Sequence, residues 1–341
     1  MYNYQVKEIN EDLKKTKKAV IALGCSFTQG QGAINDEIFD NYKWETQDLG
    51  KPLRAVLSKK EKKQILKKYS TVLLDSEDST SLDFVKMEYE NAFVSVLCKK
   101  YFNGSYTPIN LGLKGCGNRG TIKELYLNNE IDWHNAKEKI VIYCPSGLER
   151  FDFVNDSYND HFRWVAMWPH YENMDDNDFR KPLWEGYGKC VWSEKNQIIE
   201  QICHVQELLT WCKANNARLI ITPAFDRRYD KEYFKHILGQ YVHRNDDIVT
   251  FKKYITKHKD INLLDLFPWE KMFYPHGNQT FADLAMANES NIKDTNDHFF
   301  QFLGNRSPNG WMTACAHPGQ KAHDLFAKLL YNKIKGSKNE K

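Results

Sequence analysis

Short apolar runs alternate with longer amphipathic stretches along this chain. Residues 18–24, KAVIALG, are continuously apolar after the lysine and end in glycine, the pattern of a buried parallel strand that stops abruptly. From Tyr89, EYENAFVSVLCKKYF sets Ala92, Phe93, Val96, Leu97 and Phe102 at helical spacing, and TPINLGL predicts a second strand. The same alternation predicts a helix over 121–129, a third strand at KEKIVIYC (137–144), and an amphipathic helix over 193–216 that feeds a fourth strand, RLIITPAF. A helix near 231–238, a fifth strand at INLLDLF (261–267) and a last helix from HPGQKAH through Ile334 complete the series, and residues 1–17 form a charged lead-in helix or loose arm. Strands alternating with helices predict an α/β protein whose parallel sheet is covered on both faces, the doubly wound class.

Three stretches break this rhythm, and we read them as insertions into one domain spanning 1–341. Residues 31–87 carry no strand period and hold a lysine-rich helix followed by DSEDSTS; residues 150–192 and 269–312 are the others. Connections in compact domains are typically ~4–6 residues, so excursions of this size predict functional or protein-partner-binding roles. The chain has no internal repeat.

Composition narrows the classes. A chain of 341 residues supports a substantial core, and 48 basic against 45 acidic residues leave a net charge of +3, so no global field draws nucleic acid or an anionic membrane. The densest basic run, Lys59, Lys60, Lys62, Lys63, Lys67 and Lys68, is interrupted by Glu61 and flanks Ile65 and Leu66, the pattern of a solvated helix face. No apolar run approaches the ~18 residues of a membrane span, and MYNYQVKEINEDLKK is too polar for a secretory signal. The expectation is a cytoplasmic protein with eight reduced cysteines and neither a nucleic-acid nor a membrane partner.

Two segments offer chemistry. The first strand runs into Gly24-Cys25-Ser26-Phe27-Thr28-Gln29-Gly30, so Ser26 stands at the carboxyl end of a strand, where open α/β sheets bind ligands. A serine there is either an exposed nucleophile or a cap for the next helix. Near the other end, His317 precedes Pro318 in AHPGQKAH; the residue before proline is biased away from helix, which projects His317 from the loop opening the last helix, where a general base would sit. His323, inside that helix, reads as structural.

Taken together these segments resemble conserved blocks of the SGNH (GDSL-like) hydrolases. GCSFTQG is similar to the first block, Asn110-Leu111-Gly112-Leu113-Lys114-Gly115-Cys116-Gly117-Asn118 to the second with its oxyanion-hole glycine, and HPGQKAH to the fifth with its histidine, in the same order. The resemblance covers about two thirds of the chain and none of the insertions. It implies a three-layer flavodoxin-like sandwich with about five parallel strands and a serine hydrolase mechanism without metal or other cofactor. Ser26 would attack an acyl carbonyl, His317 would carry its proton, and the N–H groups of Ser26 and Gly115 would hold the oxyanion.

The chain departs from that pattern in three places. Cys25 replaces the usual aspartate before the serine. The third block reads Cys144-Pro145-Ser146-Gly147-Leu148-Glu149-Arg150, without the family's asparagine, so Ser146 or Asn118 would supply the side-chain oxyanion donor. The aspartate expected three residues before the histidine is Ala314; Asp294, Asp297 and Thr313 are candidates for its orienting role, as is a backbone carbonyl. Losing an orienting carboxylate costs about 10⁴ in turnover, and losing an oxyanion donor about 10² to 10³.

Cys25, Cys116, Cys144 and Cys315 fall in or beside the blocks, but their spacing matches no closed metal motif, and buried packing thiols are expected. The excursion from Phe151 to Trp192 is aromatic, with Trp164 and Trp168 among polar residues; its rings either stack on a sugar face or form a small satellite core. Arg150 leaves the third strand toward the site rim and joins Trp164 and Trp168 as a substrate-binding candidate. The expected activity is a serine esterase or deacylase acting on a small-molecule or glycan ester. A catalytically impaired binding or assembly module and an acyltransferase are the alternatives.

Overall fold

The computed structural model describes residues 3–31, 85–113, 115–155, 192–239, 263–275, 280–289 and 317–336, with shorter stretches between them that include 163–167 and Trp311. In chain order the principal elements are helix α1 (Asn3–Thr16), strand β1 (Lys18–Gly24), the single turn α2 (Ser26–Gln29), helices α3 (Val85–Asn91) and α4 (Phe93–Val96), strand β2 (Thr107–Asn110), helix α5 (Asn118–Leu127) and strand β3 (Glu138–Cys144). There follow strands β4 (Phe151–Asn155) and β5 (Arg163–Met167), helix α6 (Glu194–Ala214), strand β6 (Ala217–Ile221), and helices α7 (Lys231–Gly239), α8 (Leu263–Leu266), α9 (Phe281–Ala287) and α10 (Gln320–Gly336).

Four strands form a parallel sheet in the order β6-β3-β1-β2. The chain leaves β1 for β2 on one side and returns to β3 on the other, so the switch in direction falls between β1 and β3. Ligands of open α/β sheets bind beyond the carboxyl ends of the strands at that point. Register places Gly24 beside Cys144 and Ala22 beside Asn110, so the segments after β1, β2 and β3 emerge at one end of the sheet.

The strands read as unbroken apolar runs because both faces are buried. Val20 and Ala22 of β1 join one apolar cluster with Ile140 and Ile142 of β3 and with Phe93, Phe281 and Phe326 from helices. Ala19, Ile21 and Leu23 join a second cluster with Val141 and Tyr143 and with residues of α1, α5, α6 and α7. The helix spacing follows suit: α1 buries Val6, Ile9 and Leu13, and α6, capped by Ser193 accepting from Asn196 N–H, buries Ile198, Ile202, Val205 and Leu208. Helix α9, inside the stretch 269–312, belongs to the first cluster, with Phe281 stacked on Phe326 at 4.3 Å.

Two expectations change. INLLDLF is not a fifth strand: Leu263–Leu266 is a helical turn, while 261 and 262 lie outside the described residues. Its buried members, Leu264 and Phe267, are three apart, the spacing of a helix rather than the spacing of two in a strand. The edge beside β6 is met instead by one parallel bridge, Ile221 to Met272, with Phe273 N–H donating to Ile221 O at 2.8 Å. Pro268 and Pro275 flank that segment, and proline cannot donate to a ladder. Among the described residues the sheet therefore has four strands.

The helix expected from Tyr89 is also interrupted at Ala92 (φ −59°, ψ 146°). The groups freed there find side-chain partners: Phe93 N–H donates to His323 Nδ1 at 3.1 Å, and Ser95 Oγ donates to Tyr89 O at 2.8 Å. The lysine-rich segment behaves as predicted where it is described, with Lys60, Lys63 and Lys67 helical and exposed. No helix among the described residues is long and apolar enough to cross a membrane.

Candidate active site

Ser26 opens α2 immediately beyond β1. Gly24 has no room for a side chain, since a Cβ there would lie 2.8 Å from Cys144 O, and the turn closes on Gly30 at φ 89°. Cys25 is the N-cap residue and makes no side-chain cap, while Thr28 and Gln29 N–H both donate to Cys25 O at 3.0 Å. Ser26 is the first residue inside the turn, so its N–H has no acceptor within the turn. Its hydroxyl is directed elsewhere: Ser26 Oγ lies 2.6 Å from His317 Nε2, across 291 residues of sequence.

His317 is 8% exposed and Ser26 6%, and the imidazole packs against the Phe27 ring at 4.8 Å. The segment behind it is tied down by Gly319 N–H donating to Trp311 O at 2.7 Å and by His323 N–H donating to Gly319 O at 3.1 Å. With the ring proton on Nδ1, Nε2 accepts from the serine hydroxyl, the arrangement a general base requires. His323 stands apart from this chemistry; fully buried beside Phe93 and Phe281, it is held as a neutral ring by burial and by its neighbour His317, which push its pKa down to about 3.

The second block is fastened to the first. Asn110 donates from Nδ2 to Thr28 O at 3.1 Å and accepts from Gly112 N–H at 3.0 Å, and Leu113 N–H donates to Gly24 O at 2.9 Å. Gly112 is required by clearance, since a Cβ would lie 2.5 Å from Gln29 N. A turn from Leu113 to Cys116 follows, with Gly115 exposed and at φ 69°, the left-handed conformation that turns reserve for glycine.

Asn118 and Ser146 are brought together and hold each other. Asn118 Oδ1 accepts from Ser146 N–H at 2.8 Å and lies 3.2 Å from Ser146 Oγ, while its Nδ2 donates to Tyr229 OH at 2.8 Å. Arg150 is buried, reaches Cys116 O at 3.4 Å, and lays its guanidinium over Phe225 at 4.9 Å; Phe225 in turn meets Phe27 at 5.2 Å. Glu149 is drawn away into an ion-pair group with Arg228, which also meets Asp226 and Glu194. Trp164 pairs with Val154 in the β4–β5 hairpin. Trp168, Asp294, Asp297, Thr313, Ala314 and Cys315 lie outside the described residues.

Two residues here carried no sequence signal. Tyr229 closes over Asn118, and Asp152 reaches the second block from inside an apparent insertion. Asp152 Oδ1 accepts from Gly117 N–H at 2.6 Å and Oδ2 from Gly120 N–H at 2.9 Å, at the N-terminus of α5. Burial pushes the Asp152 pKa up, against those two N–H donors and the charges of Arg150 and Arg119. Asn118, Arg150 and Asp152 also border a polar cavity of about 200 Å³ with Arg119, Gln201 and His204.

Cys25, Cys116 and Cys144 are buried thiols, and burial pushes the last two well up from the usual thiol range, so they pack rather than react. Among the described residues no three His, Cys, Asp or Glu side chains gather in a way that could hold a metal ion.

No family model matches this chain, and no curated protein matches it. Among solved structures it is similar to the psychrotrophic esterase EstA from Pseudoalteromonas sp., at 11% identity and TM-score 0.38 over 94% of this chain and 99% of that one. It is similar also to a carbohydrate esterase whose active site displays divergent catalytic and non-catalytic binding functions, at 10% identity and TM-score 0.38 over 94% and 68%. The acetyl xylan esterase Est2A from the rumen bacterium Butyrivibrio proteoclasticus follows, at 13% identity and TM-score 0.38 over 94% and 64%. With three sequence blocks carried by a parallel α/β sheet, the chain resembles the SGNH (GDSL-like) hydrolases.

Proposed function

We propose that this protein is an SGNH-type serine esterase or deacylase. The observation that carries the proposal is the 2.6 Å approach of Ser26 Oγ to His317 Nε2. Serine is a weak nucleophile at its free pKa, and an imidazole at this distance is the group that activates it. Ser26 Oγ attacks the acyl carbon while His317 Nε2 takes its proton. The N–H groups of Ser26 and Gly115 receive the oxyanion, Asn118 and Ser146 brace the neighbouring loops, and Ser146 is assigned as the side-chain donor in place of the family's asparagine. Collapse expels the alcohol, to which His317 returns the proton, and water then hydrolyses the acyl-enzyme by the same steps in reverse.

In place of the aspartate missing at Ala314, Asp297 or Asp294 orients His317 through Nδ1, or a backbone carbonyl does so. The strand order β6-β3-β1-β2 supports a flavodoxin-like sandwich of four strands rather than five. Arg150, Trp164 and Trp168 are assigned to substrate, and their mixture of a guanidinium with indoles favours a carbohydrate ester. The test is hydrolysis of p-nitrophenyl acetate and labelling by a fluorophosphonate. Ser26→Ala and His317→Ala are each expected to lose about 10⁴-fold or more in turnover and Ser26→Ala all labelling. Equal inertness of wild type and both variants would leave the binding or assembly module as the better account.

A further inference from the structure

We infer that Asp152 is a positioning residue for the proposed reaction, gripping the loop that carries Gly115, so that the β4–β5 hairpin is a working part of the site. The inference rests on the hydrolase proposal for its catalytic meaning, and on geometry for the grip.

The grip acts on one peptide group. Cys116 C=O and Gly117 N–H belong to the same planar unit. Asp152 Oδ1 accepts from Gly117 N–H at 2.6 Å, and Arg150 Nη1 donates to Cys116 O at 3.4 Å. Residues 150 and 152, either side of the first residue of β4, thus hold both ends of the Cys116–Gly117 peptide. The φ and ψ of residues 115 and 116 lie between that plane and Gly115 N–H, and the turn bond from Cys116 N–H to Leu113 O at 3.3 Å spans them, so the grip anchors the C-terminal side of the turn that presents Gly115.

Gly117 fits this arrangement. Its φ of −87° is open to any residue, but a Cβ would lie 2.7 and 2.8 Å from the two oxygens of Asp152. Glycine is required there by the carboxylate rather than by the backbone. Gly117, the N-cap of α5, has no side chain to cap with, so Asp152 supplies the cap from another element and answers Gly120 N–H as well. A carboxylate this buried is costly unless hydrogen-bonded. Arg150 continues the linkage to the pair itself through Phe225 and Phe27.

The experiment compares wild type with Asp152→Asn and Asp152→Ala in amide hydrogen exchange over residues 115–121 and in kcat and KM for p-nitrophenyl acetate. Val205→Ala, in the core of α6, serves as a destabilised control. Faster exchange in that segment is expected, more for Ala than for Asn, which keeps one acceptor oxygen. Turnover should fall about tenfold or more, short of the 10²–10³ lost when an oxyanion donor is removed outright, with KM within about threefold. Val205→Ala should lose thermal stability and keep its kcat. Unchanged exchange at 115–121 overturns the grip whatever the activity. Faster exchange with unchanged kcat, or the same kcat loss in Val205→Ala, overturns the positioning role. A wild type as inert as Ser26→Ala overturns the hydrolase proposal and the positioning role with it, and exchange alone then decides whether the grip exists.

Discussion

Two histidines six residues apart are put to opposite uses by their surroundings. His317 keeps 8% of its surface open and turns Nε2 to Ser26, while His323 is sealed beside Phe93 and Phe281 and accepts from a backbone N–H. A buried ring that must stay neutral ties stability to pH. Its folded pKa of about 3 lies below the ~6.5 of an unfolded histidine, so the folded state binds this proton less tightly. Its stabilising contribution is complete above about pH 6.5 and drains away as the pH falls toward 3. His323→Asn keeps an acceptor for Phe93 N–H but cannot titrate. Urea midpoints at pH 7, 5 and 4 should therefore fall less steeply for this variant than for wild type, although it starts lower at pH 7.

At the scale of elements, the loop entering α5 contains two glycines required for different reasons. Gly115 sits at φ 69° with nothing within 4 Å of a Cβ, so only the backbone objects to a side chain. Asn, which tolerates the left-handed region, is expected to be accepted there, and Ala to cost about 1–2 kcal/mol. At Gly117 the objection is the Asp152 carboxylate, and Ala forces it away, at about 1–3 kcal/mol and with loss of the grip. Thermal melts of Gly115→Asn, Gly115→Ala and Gly117→Ala should rank in that order of stability; equal melts for the first and last would refute the distinction. The string Gly-Cys-Gly-Asn marks a tight loop in the sequence, but which glycine answers to which neighbour depends on a strand that begins at Phe151.

Across the whole molecule, the parallel sheet buries what its strands carry. Of the described cysteines, Cys25, Cys98, Cys116, Cys144 and Cys212 are buried and Cys203 is exposed. With Cys190 and Cys315 replaced by serine, the folded protein should react quickly with one equivalent of Ellman's reagent, at Cys203, and with all six thiols only after unfolding. Rapid reaction of Cys25 or Cys144 in the folded protein would contradict the packing of the first cluster. The same burial made the fold legible. KAVIALG and KEKIVIYC announce strands because both faces are covered, and the helix over 193–216 announces itself by one apolar stripe. INLLDLF misleads because a short apolar run looks alike as strand or helix, and the edge of the sheet, not the run, decides which is used.

The sequence by itself determined the alternation of elements, the four buried strands and the placing of Ser26 and His317 at opposite ends of the chain, because these follow from local periodicity and from turn residues. Only the tertiary structure decided that the two side chains meet at 2.6 Å, that Ser26 is not spent as a cap, and that Asp152 and Arg150 hold the second block. Contacts across 291 or 35 residues leave no periodic trace in the chain; they exist because a parallel sheet delivers the ends of its strands, and the loops beyond them, to one edge.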